Sequence, residues 1–345
     1  MKKWLVFLFM MALAVHSMAC STFLLSRNGR HVFGRNYDWV SGNGMLMVNA
    51  RGVTKSSFTP DGNSIAWVSA YGSTTFNQFG KEFPHGGMNE KGLVVELMWL
   101  NETSYPAADK RAALNELQWI QYQLDNCATI EDVMATDKKI RINRAGAAPL
   151  HYLVADAHGK AATIEFINGK MVVHQGSHLD YPVLTNTVYD EAVKQVKSKK
   201  SGYDNSVERF ATACTMIRQF QNTGNTDHVD YAFTILDRVA QKGYTKWSIV
   251  YDISKRQVYY RTDVQPQRKL LVFGAIDFSC TGTTPAIHLS APGSGHVAGK
   301  LTPLSFEQNK KLIEQSARES RSQVKITRES IDGAAGYFNQ VACKS

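Results

Sequence analysis

A cysteine stands directly behind a stretch with the three parts of a cleavable signal peptide. Lys2 and Lys3 supply positive charge, the run "WLVFLFMMALAV" is apolar, and small residues precede Cys20. Cleavage after Ala19 would free both the thiol and the α-amine of Cys20. Such a residue could work alone, because its thiolate can attack while its α-amine, with a reference pKa of about 8, carries the proton.

Two other interpretations of the N-terminus compete with a cleaved signal peptide that leaves Cys20 free: a membrane anchor and a lipoprotein. The apolar run is shorter than the roughly 20 residues of a spanning helix, and no later segment is long and apolar enough, so we expect no stable membrane span. Bacterial lipoproteins are also cut before a cysteine, but Ser17 stands where they usually have an aliphatic residue. We therefore favour an exported, periplasmic or secreted enzyme over a lipid-anchored, non-catalytic binding protein modified at Cys20.

Composition narrows the classes of partner. The chain has 345 residues, 43% of them hydrophobic, which is enough for a substantial core. Its formal net charge is +9, but the lysines and arginines are scattered among acids without interleaved aromatic residues. This pattern is typical of a solvated surface and not of a nucleic-acid interface. We expect a small-molecule substrate, and a homo-oligomer is left open.

The other four cysteines show no pattern that indicates a metal site. Cys127, Cys214, Cys280 and Cys343 are far apart and form no CxxC pair. The total of five leaves at least one thiol over, and disulfide pairing stays open. Cys214 follows the helical spacing of its apolar neighbours and is expected in the core.

Hairpins dominate the pattern of predicted elements. Strands are expected at "STFLLS", "HVFGRNYDW", "HYLVADA", "AATIEFI", "KMVVHQ", "WSIVYDI" and "QVYYRT", and helices at "AALNELQWIQYQL", "VERFATACTMIRQF" and "VDYAFTILDRVAQ". Hairpins without strand–helix–strand alternation predict an α+β fold, with antiparallel sheets and helices on their outer faces. The polar stretch "FEQNKKLIEQSARESRSQ" predicts a peripheral helix with a loose end.

The first hairpin indicates which side chains meet Cys20. A two-residue turn at Asn28-Gly29 would set Cys20 opposite Tyr37 and diagonal to Arg35, whose guanidinium would favour the thiolate. In that register Asp38 points to the other face and reaches the Cys20 amine only if the strand ends or bulges. The alternative is a surface hairpin with an incidental ion pair.

An ordered set of motifs resembles a known family. Cys20 is followed by "GRNYDW" at 34–39, "GMNEKGL" at 87–93, "VLTN" ending at Asn186, "TKWSIVYD" at 245–252 and "GHVAGKLTPLSF" at 295–306. Together they resemble the choloylglycine hydrolase family of linear amide C–N hydrolases. This family includes bile salt hydrolases and penicillin V acylases and belongs to the N-terminal nucleophile hydrolases.

The resemblance implies a fold and a set of roles. The fold would be a four-layer αββα sandwich over residues 20–306, between a signal peptide at 1–19 and a polar, partly helical extension at 307–345. Cys20 would be the nucleophile, Arg35 would lie against its thiol, and Asp38 would orient the amine or the thiol. The amide of Asn186 and a backbone N–H near Trp99 would stabilise the oxyanion. Read without the family, Asn186 is a turn residue. The resemblance implies neither metal nor organic cofactor.

Two positions depart from the family's pattern. Lys246 stands where the family often has arginine, and an ammonium cannot reproduce a forked guanidinium. Lys246 keeps the positive charge, but the geometry of its contacts is left open. A third possibility for the protein, besides the enzyme and the lipid-anchored binding protein, is an inactive member of the family. Near Trp99, bile salt hydrolases typically have asparagine and penicillin acylase-like members an aromatic residue. This favours a penicillin V acylase-like enzyme over a conjugated bile salt hydrolase.

The expected reaction is amide hydrolysis through a thioester on Cys20. The acyl group would be apolar, since the loops carry aromatic side chains that either line a pocket or belong to the core. These side chains are Phe76, Phe79, Phe83 and Trp99. Penicillin V, N-acyl homoserine lactones and conjugated bile salts are all candidate substrates.

Overall fold

Two large, mainly antiparallel sheets and seven helices make up most of the part of the chain that the structure describes. The computed structural model describes residues 20–59, 63–198, 202–224 and 226–344, so the predicted signal peptide at 1–19 lies outside the described residues. The helices are α1 (Glu116–Asn126), α2 (Ile130–Thr136), α3 (Tyr189–Ser198), α4 (Asn205–Phe220), α5 (His228–Arg238), α6 (Phe306–Glu319) and α7 (Arg328–Tyr337).

The strands follow the hairpin pattern expected from the sequence. They are β1 (Ser21–Arg27), β2 (Arg30–Asp38), β3 (Met45–Asn49), β4 (Val53–Ser56), β5 (Ala66–Val68), β6 (Ser73–Asn77), β7 (Pro84–Asn89), β8 (Val94–Trp99), β9 (Ala112–Leu114), β10 (Ile140–Ile142), β11 (Leu150–Ala155), β12 (Ala161–Ile167), β13 (Lys170–Gln175), β14 (Val183–Leu184), β15 (Thr245–Asp252), β16 (Gln257–Thr262), β17 (Lys269–Val272), β18 (Pro285–His288), β19 (Gly295–His296), β20 (Thr302–Pro303) and β21 (Ala342–Cys343).

The two large sheets stack face to face. One has seven strands in the order β14-β1-β2-β15-β16-β17-β19, and the other has nine in the order β13-β12-β11-β8-β7-β6-β3-β18-β20. Helices α4 and α5 contact β1, β2 and β15 of the first sheet, whereas α1 contacts β7 and β8 of the second. These are the layers of an αββα sandwich, so the predicted fold is confirmed.

The alternation of side chains along β8 accounts for the layering. Val94 and Met98 belong to the hydrophobic core shared with the seven-stranded sheet, and Met98 accepts a hydrogen bond from Thr22 of β1 at 3.2 Å. Val95 and Leu97 point the other way and pack with Trp119 of α1. A strand with two buried faces separates two cores, as a four-layer fold requires.

The hairpin of β1 and β2 has the predicted register. Asn28 and Gly29 both have positive φ, 53° and 73°, as a two-residue type I′ turn requires. Ser21 pairs with Asn36 and Thr22 with Arg35. The hairpin therefore brings the residue before β1 to the end of β2.

The C-terminal residues are packed against the rest of the protein. The helix expected at "FEQNKKLIEQSARESRSQ" is present as α6, but the expectation of a loose end is wrong. After α6 and α7 the chain adds β21 to β4, and Cys343 forms a disulfide with Cys280. Leu312 and Ser316 of α6 are buried, so a polar helix still has a buried stripe. No helix within the described ranges is long and apolar enough to cross a membrane.

Candidate active site

Cys20 is buried at the end of the first hairpin, 5% exposed. Its Sγ lies 3.9 Å from Nη2 of Arg35 and 3.9 Å from the carbonyl oxygen of Asp38. Two contacts fix the orientation of the Arg35 guanidinium: it pairs with the buried carboxylate of Glu96, and it donates to the carbonyl of His85 at 2.9 Å. The hairpin therefore places a fixed cation beside the thiol, as its register predicted.

The Asp38 carboxylate is buried beside the same cavity as Cys20. Thr245 donates to one of its oxygens, and Gln241 donates to the other at 3.3 Å. Burial raises the pKa of Asp38 to about 6, although these bonds and the charge of Arg209 act to lower it. An ionised Asp38 could hold an α-ammonium in place, so its charge would matter near neutral pH.

Arg209, on α4, links Cys20 to Asn186. Its Nη1 donates at 2.6 Å to the carbonyl of Cys20 and at 2.6 Å to Oγ of Ser21, while Nη2 donates to Oδ1 of Asn186 at 3.1 Å. Sequence reasoning missed this residue. The signal was present, because Arg209 lies at helical spacing within the buried stripe of α4. A cation within an otherwise core-facing stripe indicates a specific partner.

Asn186 follows β14, which pairs with β1. Arg209 accounts for Oδ1, and Nδ2 donates to the carbonyl oxygen of Trp99 at 2.8 Å. An amide group carries two N–H donors, and the bond to Trp99 uses one of them. A backbone N–H near Trp99 was expected to join Asn186 as an oxyanion donor. The carbonyl of Trp99 instead accepts from Asn186, and the N–H of Leu100 donates to the carbonyl of Pro149.

Lys246 lies outside this cluster, so its assignment to the catalytic site is corrected. Thr245 pairs with Asp38 and Trp247 with Tyr37, which makes Lys246 the extra residue of a β-bulge. Its ammonium bonds to the carbonyl of Gly243 and to Asp263, both at 3.0 Å. The motif "TKW" contributes Thr245 to the site through its bond to Asp38. Besides Arg35, the buried cation that contacts Cys20 is Arg209 of α4.

A cavity of about 520 Å³ opens beside Cys20. Of the aromatic residues predicted to line a pocket, Phe79, Phe83 and Trp99 do so, joined by Trp39 and Phe58. Phe76 instead belongs to the core between Tyr251 and Tyr260. The site therefore combines a polar cluster around the thiol with an apolar space able to hold an acyl group.

The histidines near the cluster offer no strong base. His85 lines the cavity, but burial and the charge of Arg35 lower its pKa to about 3. His151 is buried, with one ring nitrogen 2.7 Å from the carbonyl of Thr185 and the other 3.0 Å from Glu165. Burial raises the pKa of the Cys20 thiol, which Arg35 and Arg209 partly offset. Neither histidine is therefore suited to deprotonate a buried thiol.

Comparison with known proteins shows the family of the chain. Residues 20–198 match the family model of linear amide C–N hydrolases of the choloylglycine hydrolase type. The chain belongs to the choloylglycine hydrolase family. Within that family, the penicillin V acylase of Pectobacterium atrosepticum is 34% identical over 139 residues, which are 36% of this chain and 36% of that relative. The sequence match thus spans about a third of the curated relative's length.

Solved structures cover more of the chain. The penicillin V acylase of Agrobacterium tumefaciens aligns with a TM-score of 0.72 and 26% identity, over 83% of this chain and 98% of that one. A variant of the conjugated bile acid hydrolase of Clostridium perfringens aligns with a TM-score of 0.66 and 17% identity, over 80% of this chain and 98% of that one. The second likeness supports the fold alone.

Proposed function

We propose that the protein is an exported hydrolase that cleaves linear amide C–N bonds with Cys20 as its N-terminal nucleophile. The observation that carries the proposal is a buried thiol at the edge of an apolar cavity, with Arg35 beside its sulfur and Arg209 joining its backbone carbonyl to Asn186. Membership of the choloylglycine hydrolase family supports it. So does the likeness to two penicillin V acylases.

The reaction has two stages. The α-amine of Cys20 takes the thiol proton, and the thiolate attacks the amide carbon to give a tetrahedral oxyanion, to which Asn186 donates. The C–N bond breaks, and the α-ammonium returns the proton to the leaving amine. Water then attacks the thioester while the α-amine takes one of its protons. The C–S bond breaks, the α-ammonium returns that proton to the Cys20 thiolate, and the carboxylic acid leaves.

Processing after Ala19 is part of the proposal, because an amide nitrogen cannot carry the proton. The disulfide between Cys280 and Cys343 supports export, since disulfides persist in oxidising compartments. A protein that retains Ala19, verified by mass, should lose turnover. Full activity with Ala19 attached would contradict the mechanism. A diacylglyceryl group on Cys20 would favour the lipid-anchored binding protein instead.

The acyl group is proposed to be apolar. The cavity carries Trp39, Phe58, Phe83 and Trp99, and apolar pockets discriminate by only about 1–3 kcal/mol per methylene-sized difference. We therefore expect broad amidase activity, with phenoxyacetyl or medium-chain acyl amides preferred over glycine- and taurine-conjugated bile salts.

A panel of substrates tests this preference. Values of kcat/KM for penicillin V, a series of N-acyl homoserine lactones and the bile conjugates should be measured side by side on processed enzyme, with Cys20→Ala as the inactive control. A preference of about a hundredfold for bile conjugates would favour the alternative, a conjugated bile salt hydrolase.

A further inference from the structure

The C-terminal segment, residues 306–344, reaches the cavity that holds Cys20. It contributes Ile313 from α6, Val324 and Ile326 from the following loop, and Ala334 from α7. All four side chains are apolar and lie on the same cavity surface as the aromatic residues. The segment is therefore part of the cavity wall, although most of its residues are polar.

One end of the segment is bonded to the site itself. The indole N–H of Trp39, the residue after Asp38, donates to Oγ of Ser320 at 2.8 Å, and both side chains are buried. The amide of Asn43 donates to Oγ of Ser316 at 2.9 Å. A buried indole with a fixed partner has little freedom, so the segment also holds an aromatic side chain of the cavity in place.

The other end is anchored to β4 and to a distant loop. Tyr337 is fully buried, its hydroxyl bonds to the carbonyl of Ser56, and its ring contacts Phe58 with centroids 5.8 Å apart. Beyond it, β21 pairs with β4, and Cys343 is bonded to Cys280. The chain between Ser320 and Tyr337, which carries Val324, Ile326 and Ala334, is thus held at both ends.

We infer that residues 324–334 form a fixed wall of the acyl-binding cavity and that Ile326 limits the length of the acyl chain accepted. The inference rests on the proposed function, since it assigns the apolar cavity to the acyl group. Ile326 is half-buried and lines the same cavity as Cys20, so its volume takes up space that an acyl chain on the thiol would enter. Changing its volume changes the space without touching the groups around the thiol.

The test uses the full processed chain and four variants. Ile326→Ala enlarges the cavity, and Ile326→Phe fills it. Gln323→Ala and Gln323→Phe are the matched controls, because Gln323 lies on the same loop, is exposed and does not line the cavity. Melting temperatures confirm that each variant folds. The substrates are N-acyl homoserine lactones whose acyl chains run from four to twelve carbons.

Ile326→Phe should lower kcat/KM for the longest acyl chain by about tenfold or more and leave the shortest within threefold. Ile326→Ala should move the optimum to longer chains. The Gln323 variants should keep the wild-type profile. If the hydrolysis profile is the same in both Ile326 variants as in wild type, the inference is overturned.

A second measurement separates this inference from the proposed function. Binding of butanoate, octanoate and dodecanoate to the wild type, the Cys20→Ala variant and the two Ile326 variants is measured by calorimetry. If no amide is hydrolysed but the chain-length profile of binding shifts in the Ile326 variants, the wall stands and the proposed function fails. If the wild type binds none of the three carboxylates at millimolar concentration, the inference is overturned.

Discussion

Replacing Arg209 with leucine tests whether the buried guanidinium organises the site. Arg209→Leu removes the donor to the carbonyl of Cys20 and to Oδ1 of Asn186. Among the described residues, the bond to the carbonyl of Trp99 is then what holds the orientation of the Asn186 amide. We expect the thiol and the oxyanion donor to lose their relative orientation, while the cavity keeps its volume.

The magnitude follows from the groups involved. One preorganised oxyanion donor contributes about 3–4 kcal/mol to the transition state, so kcat should fall by about 10²–10³-fold. A buried acceptor left without a donor costs about 1–3 kcal/mol. The carbonyl of Cys20, Oγ of Ser21 and Oδ1 of Asn186 all lose a donor. Because the cost of burying the guanidinium also disappears, we expect the free energy of unfolding to fall by about 2–4 kcal/mol.

A pH profile distinguishes this role from a structural one. The charge of Arg209 lowers the pKa of Asp38, which burial has raised to about 6. Without Arg209 that pKa rises further, and Asp38 ionises only at higher pH. The acid limb of the kcat/KM profile should therefore move to higher pH, and activity at pH 6 should fall more than activity at pH 8.

The assay measures kcat and KM for penicillin V from pH 5 to 9, together with melting temperature. Arg218→Leu is the matched control, since Arg218 lies in the last turn of the same helix and is exposed. It should behave like the wild type. An Arg209→Leu enzyme with kcat within threefold of wild type and an unmoved acid limb would refute the reasoning.

Three further substitutions have defined outcomes. Asn186→Ala should lower kcat by about 10²–10³-fold with little change in melting temperature, and a kcat near wild type would remove it from the oxyanion site. Cys343→Ser opens a crosslink over a sequence separation of 63 and should cost about 2–4 kcal/mol of unfolding free energy, measured by denaturant titration. An unchanged free energy of unfolding would mean that the C-terminal segment stays packed without the disulfide. Lys246→Met should keep kcat/KM within about threefold, because its pair with Asp263 is a surface pair worth about 0–1 kcal/mol. A hundredfold loss would return Lys246 to the site.

Local signals account for what the sequence predicted well. The turn at Asn28-Gly29 sets the register of β1 and β2, and this register alone brings Arg35 to Cys20. Helices α1, α4 and α5 show apolar spacing within a dozen residues, so their presence follows from periodicity. Such features depend on neighbours in the chain and need no knowledge of the tertiary structure.

The parts that the sequence did not predict depend on distant contacts. Arg209 meets Cys20 across 189 positions, and only the packing of α4 on β1 brings them together. Lys246 was misassigned because a bulge at Thr245 and Trp247 turns one residue out of the ladder. The expected C-terminal helix, α6, is less peripheral than its polar sequence indicates. Ser316 in its buried stripe and Ser320 just after it both accept hydrogen bonds that composition cannot show.

The central claim is that Cys20 is the first residue of the mature protein and carries the acyl group. The most direct measurement is mass spectrometry of processed protein quenched in acid during turnover of penicillin V, followed by peptide mapping. We predict a chain that begins at Cys20 and a phenoxyacetyl group on its thiol, removed by hydroxylamine. An active protein whose chain begins elsewhere, or whose Cys20 stays unacylated throughout turnover, would contradict the account.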